Sequence, residues 1–284
     1  MRWVIILLLY TVRGELVTLS RLHKLHMQFR DRMYLMAHPV NASSLRSDQL
    51  KDIANEEWRK LTDMCPSLQR NISIDINFDN SLEDTGTLAW NTHMMKLNNG
   101  TLTSTRKDMT IGVNPNPTNG WFYGENCSDI SYRYDLRSVI RHEFLHGLGF
   151  AASIYKENNL WSVGHSVWGS CYPTQFDTHI VDIDGNNLVE KCTLTGNIQE
   201  KQVFINGVKL FNPGYYHGSA FSHHSYDGGL MYWRLSPMRC MPIKEHELKM
   251  LSALGVQCLS TESDQQSVAL LLVPLVLSLF LPLL

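Results

Sequence analysis

Three residues in one short stretch are of the right types and spacing for hydrolytic chemistry. His142, Glu143 and His146 form an H-E-x-x-H pattern in Val139-Ile-Arg-His-Glu-Phe-Leu-His-Gly-Leu-Gly149. On an α-helix, residues four apart are separated by about 400° of rotation, so the two histidines leave one face and can share a metal. Glu143 stands one step round, close enough to handle a proton on a water without itself being a ligand. This arrangement is a zinc-hydrolase signal, and Zn2+ is the expected cofactor. The bland alternative is a chance match on a buried helix, so the neighbours of the motif carry weight.

Those neighbours read as a well-bounded helix. Asp135 is placed to cap its first turn. Leu136, Ile140 and Phe144 form an i, i+4, i+8 apolar row that would anchor it in a core. Gly147 and Gly149 follow at once, and glycine is the usual residue for ending a helix in a left-handed turn. The chain is therefore free to turn back and bring a third ligand from elsewhere.

Upstream, Leu50, Ile53, Trp58, Leu61 and Met64 recur at helical spacing behind a capping Ser47. Ile72, Ile74, Ile76 and Phe78 alternate with polar residues, which predicts a half-buried strand over Asn71 to Asp79. Leu88 to Leu97 suits either element, Met109 to Val113 reads as a strand, and Asn114 to Gly120 as a loop. This order predicts an α+β fold whose N-terminal sheet-and-helix half carries the His142 helix. Beyond Gly149 the texture is more irregular. Hairpins are expected across Asp184-Gly185 (180–189) and Asn206-Gly207 (202–210), and a short helix from Pro242 to Leu254. Asp182-x-Asp184-Gly185 lacks the ligand spacing and closing Glu of a calcium loop.

The 284 residues, 44% hydrophobic and 18% charged, suit one large or two modest globular domains. A formal net charge of −2 with no long Lys/Arg block argues against a nucleic-acid partner. Residues 1–14, a charged start followed by a short apolar run up to Gly14, read as a secretory signal peptide. Residues 15–45 read as a propeptide or an N-terminal arm, and 46–258 as the folded domain. In 259–284 a polar spacer precedes the 17 charge-free residues Val268 to Leu284, interrupted by Pro274 and Pro282. That tail reads as a glycosylphosphatidylinositol attachment signal, with Ser260 or Ser263 as the attachment residue, or as a short membrane-spanning anchor. Cysteines at 65, 127, 171, 192, 240 and 258 are even in number and lack close C-x-x-C spacing, so three disulfides are expected rather than a thiolate metal site. Sequons at Asn41, Asn71, Asn99 and Asn126 fit the same route. The expected location is the secretory pathway, ending in secretion or at the outer face of the cell membrane.

A catalytic zinc takes three protein ligands and leaves one position open. The compact metzincin pattern puts its third histidine three residues beyond the glycine, where this chain has Ala152. The thermolysin-like pattern needs a glutamate about twenty residues on, and none lies between Glu157 and Glu190. Downstream histidines are His165, His179, His217, His223, His224 and His246. Among them Ser222-His-His-Ser-Tyr-Asp-Gly-Gly-Leu-Met231 stands out, because a histidine followed within about ten residues by a methionine turn is the last element of a metzincin site.

H-E-x-x-H-x-x-G, a long insertion, then Ser222-His223 and Leu230-Met231 resemble the leishmanolysin family and related short secreted metzincins, over roughly residues 88–258. Trp121-Phe-Tyr-Gly and Tyr172-Pro-Thr-Gln-Phe-Asp177 add local similarity to the short secreted forms. The resemblance implies a metzincin-like zinc peptidase domain over 46–258. It makes His142, His146 and His223 the zinc ligands, Glu143 the catalytic residue and Met231 the methionine of the turn. The chain departs from leishmanolysin in being shorter, in having fewer cysteines, and in presenting two adjacent histidines, so that His224 competes with His223. The implied activity is peptide-bond hydrolysis, with a metal lowering the pKa of water toward ~7 and Glu143 as general base. Tyr226 or Tyr232 would assist the oxyanion. Expected partners are protein or peptide substrates and, through the tail or a lipid, a membrane. The competing class is a catalytically silent surface adhesion or recognition protein that keeps the fold alone.

Overall fold

Helix α1 (Ser47–Met64) buries Leu50, Ile53, Trp58 and Leu61, the apolar row that its 3.6-residue period places on one side. The computed structural model describes residues 46–259 apart from 70, 84, 158–159, 168, 196–197, 199–201 and 213–219. The expected signal peptide (1–14), the arm (15–45), Asn41, and the tail from Ser260 onward lie outside the described residues. Ser47 is the first helical residue rather than the cap. The cap is Arg46, whose N–H is taken by the Gln49 side chain at 3.1 Å, so the Ser47 hydroxyl is not needed there.

Three strands follow: β1 (Ser73–Phe78), β2 (Ala89–Asn98) and β3 (Thr101–Val113), in the spatial order β1-β3-β2. β1 pairs parallel with β3, Ile76 opposite Ile111, whereas β2 returns antiparallel to β3. The ambiguous stretch around Leu88 to Leu97 is thus a strand. It turns into β3 through Asn99 and Gly100, both at positive φ (48° and 81°), the backbone that a tight two-residue hairpin requires. Its outer edge makes no pairing with another strand among the described residues. A register shift between His93 and Met95 marks an irregularity along it.

A short parallel pair, β4 (Trp121–Phe122) with β5 (Tyr134–Asp135), delivers the chain to helix α2 (Leu136–Gly147). Asp135 caps α2 by accepting the N–H of Ser138 at 3.1 Å, and Leu136, Ile140 and Phe144 are fully buried. Phe144 meets Trp58 of α1 edge-on, ring centroids 5.2 Å apart. Beside that contact the buried Glu57 of α1 takes Arg137 at 2.7 Å, and Lys60 and Arg141 lie within ion-pair distance. On its other side α2 packs against β3. A Cβ on Gly147 would stand 2.4 Å from the Met109 sulfur, so the absent side chain is what lets the strand approach. Ser104 Oγ donates to the Gly147 carbonyl at 2.6 Å and seals this junction.

Past α2 the chain is built from two-stranded pieces, Tyr155–Glu157 with Leu160–Ser162, His165–Val167 with Ser170–Tyr172, Val189–Glu190 with Thr193–Leu194, and Phe204–Ile205 with Val208–Lys209. The hairpin across Asn206-Gly207 forms as expected, with both residues at positive φ. The one expected across Asp184-Gly185 is reduced to a turn with a single bridge, Val181 to Asn187. There the Asp182 carboxylate accepts the N–H groups of Asp184 (3.1 Å) and Asn186 (2.9 Å), so it shapes the turn. Helix α3 (Glu245–Ala253) is shorter than the expected Pro242–Leu254. Glu247, at its third position, reaches back to the N–H of Lys244 at 2.8 Å and makes Lys244 the cap, leaving Pro242 outside the helix.

The described chain is mixed α and β, compatible with α+β: three α-helices, one three-stranded sheet and several two-stranded ones. Disulfides join Cys65 to Cys258, Cys127 to Cys240 and Cys171 to Cys192. The first closes the end of α1 onto the segment after α3, and the second ties the approach to α2 to the approach to α3. Three such bonds belong to a chain that folds in an oxidising, secretory or extracellular compartment. Asn71, Asn99 and Asn126 are exposed. Among the described residues no helix is long and apolar enough to cross a membrane.

Candidate metal centre

His142 and His146 project from one face of α2, and the third histidine brought to them is His223, all three buried. His223 arrives on a bend just past Phe221, whose φ is 66°, and the segment is pinned from both sides. The Phe211 N–H donates to its carbonyl at 2.8 Å, and the preceding residue, Ser222, accepts the Ala152 N–H at 3.0 Å. Ring centroids lie 4.7 Å apart for His142 and His146, and 5.0 Å for each of these with His223.

Hydrogen bonds assign the tautomers. His142 Nδ1 is 2.8 Å from the Leu230 carbonyl, and His146 Nδ1 is 2.6 Å from the Phe150 carbonyl. A carbonyl oxygen only accepts, so each Nδ1 carries the hydrogen and each neutral ring keeps a lone pair on Nε2. Yet His142 Nε2 stands 3.1 Å from His146 Nε2 and 3.1 Å from His223 Nε2. Converging lone pairs repel unless a cation sits among them, and one proton on His142 could satisfy only one of the two contacts. A tetrahedral metal with ~2.0–2.1 Å bonds to nitrogen would separate its donors by about 3.3–3.4 Å. The three rings fit that demand within a few tenths of an ångström, and backbone carbonyls already hold two of them as metal-bound histidines are ordinarily held. These histidines can hold a metal ion.

Glu143 is fully buried one position round α2 from His142. Met231 is also fully buried, and its own peptide is part of the centre, since the Leu230 carbonyl that receives His142 belongs to the Leu230–Met231 amide. Of the two adjacent histidines His224 points away. The His224 ring goes instead to Glu247 of α3, Nε2 to Oε1 2.8 Å. Tyr226, 44% exposed, lays its ring near His246 and His224, with centroids 5.4 and 5.7 Å apart. Tyr232 packs by Trp233 at 5.9 Å.

His224, His246 and Glu247 form a second group with close potential ligand atoms. Its hydrogen bonds argue against a metal there. The Tyr226 N–H donates to His224 Nδ1 at 3.2 Å, which places the ring hydrogen on Nε2, where it donates to Glu247. Glu247 also accepts the Met231 N–H at 3.1 Å on Oε1 and the Lys244 N–H on Oε2. Burial by itself would raise the Glu247 carboxyl, but hydrogen bonds and charge from His224 and His246 outweigh it and hold the group well below the usual carboxylate range. Burial lowers the His224 ring, partly offset by Glu247.

One further histidine, His93 on β2, lies upstream of the H-E-x-x-H motif. Burial foremost, then the charge of His146 and His165, lowers its pKa to about 4, so it is neutral at physiological pH. Glu247 had a readable sign, a glutamate three residues past Lys244 in a capping position. The carbonyls of Leu230 and Phe150 had none.

Compared with protein-family models, curated proteins and solved structures, the chain matches none. The chemistry of the site rests on its own geometry.

Proposed function

We propose that this chain is a secreted or surface-held zinc endopeptidase, similar in its site to the leishmanolysin-like metzincins. The observation that carries the proposal is the convergence of His142, His146 and His223 at 3.1 Å Nε2 spacing with Nδ1–H committed to carbonyls on two of them. Zinc suits a three-imidazole site and, when bound, supplies Lewis-acid activation of water and of a scissile carbonyl. Glu143, beside His142 on α2 and too close in sequence to share its face, takes the proton of the attacking water and returns it to the departing amine. The apolar packing under α2 holds Glu143 and the two helical histidines in fixed relation, so little reorganisation is needed at the moment of reaction.

An extended peptide as substrate is supported by β2. Among the described residues it is one of the two edge strands of the sheet that packs on α2, and an edge strand offers backbone N–H and C=O groups to an extended peptide. β2 contacts α2, the helix that carries His142 and His146, which favours a peptide laid along that edge. The disulfides suit work outside the cytosol, and the C-terminal tail, as lipid-attachment signal or membrane anchor, would hold the domain at the cell surface.

Metal analysis of the purified protein, with hydrolysis of denatured casein measured before and after chelation, tests this reading. About one zinc per chain is expected, with hydrolysis abolished by the chelator and restored by zinc. A protein that takes up no metal, or hydrolysis indifferent to chelation, overturns it.

A further inference from the structure

We infer that Glu247 is a positioning residue for the metal centre, acting on His142 through the Leu230–Met231 peptide; the inference rests on His142, His146 and His223 being metal ligands. The two ends of one amide are engaged at once. Its N–H, on Met231, donates to Glu247 Oε1 at 3.1 Å, while its carbonyl, on Leu230, receives the Nδ1–H of His142 at 2.8 Å. A carboxylate drawing on the N–H pushes electron density onto the carbonyl oxygen, which then binds the imidazole hydrogen more strongly. The imidazole in turn becomes a better Nε2 donor. Metal-binding histidines commonly lean on a carboxylate or a carbonyl. Here a carbonyl is backed by a carboxylate, so that the relay runs from α3 through the methionine turn to α2.

The carboxylate is suited to that role and held for it. Glu247 is fully buried, and its charge makes its hydrogen bonds roughly twice as strong as neutral ones. Donors surround it: Met231 N–H and His224 Nε2–H on Oε1, Lys244 N–H on Oε2, with His246 Nε2 also 3.2 Å from Oε1. A glutamine would have to turn its amide hydrogens toward one of them. His224 is the chain neighbour of His223, so the same carboxylate that supports His142 also fixes the backbone on which the third ligand rides. Gly229 belongs to the same device, because a Cβ there would come within 2.4 Å of the rings of both His224 and His246.

The test compares full-length wild type with Glu247→Gln, Glu247→Asp and, as a control for lost stability alone, Glu57→Gln, the buried carboxylate that joins α1 to α2. Zinc affinity is read by competition with a chromophoric chelator, cobalt loading by its visible absorption, and the Tm of each metal-free protein is recorded. Glu247→Gln should bind zinc roughly 10–100-fold more weakly and alter the cobalt spectrum. Glu247→Asp should recover part of both, and Glu57→Gln should lower Tm while changing neither. Unchanged zinc affinity in folded Glu247→Gln overturns the inference and leaves the ligand assignment standing, whereas wild type that binds no zinc overturns both. If Glu247→Gln does not fold, the Met231 amide proton of wild type decides the matter. It should move downfield when zinc is added, and an unmoved signal in zinc-loaded protein overturns the relay.

Discussion

The amide of Ala152 donates to Ser222 Oγ at 3.0 Å and joins the segment leaving α2 to the residue before His223. Ala152 is the position at which the compact metzincin spacing would place its third histidine. The chain reaches the same neighbourhood with His223, the residue after Ser222, which lies seventy positions beyond Ala152 and makes this bond. Ser222→Ala would leave a buried N–H without its partner, at a cost of about 1–3 kcal/mol. Urea unfolding should show that loss, and zinc titration should show a several-fold weaker site, because His223 is no longer registered against α2. Zinc affinity equal to wild type would mean that the Phe211 contact alone places the ligand.

Glu143→Ala separates proton handling from metal binding. The glutamate is not among the three converging ligand groups, so the variant should keep about one zinc per chain while hydrolysis of a peptide substrate falls by ~10²–10⁴-fold, the usual contribution of a general base. Zinc content and turnover are measured on the same preparation. Turnover close to wild type would remove Glu143 from the mechanism.

The adjacent histidines should part company on substitution. His223→Ala is expected to lower zinc affinity by orders of magnitude, since a three-ligand site has no spare. His224→Ala leaves the ligand rings in place and takes one donor from Glu247, so it should lower stability and retain zinc with reduced affinity. Zinc stoichiometry after dialysis distinguishes them, and the reverse pattern would give the ligand role to His224.

What was legible beforehand was local. The His142 helix announced itself because its cap (Asp135), its apolar row (Leu136, Ile140, Phe144) and its chemistry all lie within fifteen consecutive residues, and the Asn206-Gly207 turn because two residues determine it. The choice between His223 and His224 was not local. It depends on which of the two side chains an irregular turn-and-bend segment brings to α2, and that is set by long-range bonds from Ala152 and Phe211. Six cysteines permit 15 pairings, so no spacing could single out Cys65 with Cys258. Pro242 misled for a physical reason. It suits a first helical turn, but Glu247 closing onto Lys244 satisfies a buried carboxylate and an open N–H together, and the helix begins where that bond allows. Leu88 to Leu97 was ambiguous because only pairing with β3 selects a strand from a short mixed run.

A pH dependence should follow from His165, which is buried in the short hairpin with Ser170–Tyr172 and whose pKa burial pushes down to about 4 from an ordinary 6.5. The folded chain therefore binds this proton more weakly than the unfolded chain does. Its contribution to stability is fully present above about pH 6.5 and is lost as pH falls from there toward 4, because unfolding then takes up a proton. Between pH 7 and pH 5 this one group should remove about 2 kcal/mol. His165→Asn, which cannot take up that proton, should flatten the decline by a similar amount while costing some stability at pH 7. Urea unfolding of the metal-free proteins at both pH values gives the comparison without interference from proton competition at the metal ligands. Equal slopes in wild type and His165→Asn would show that the ring already charges in the folded state.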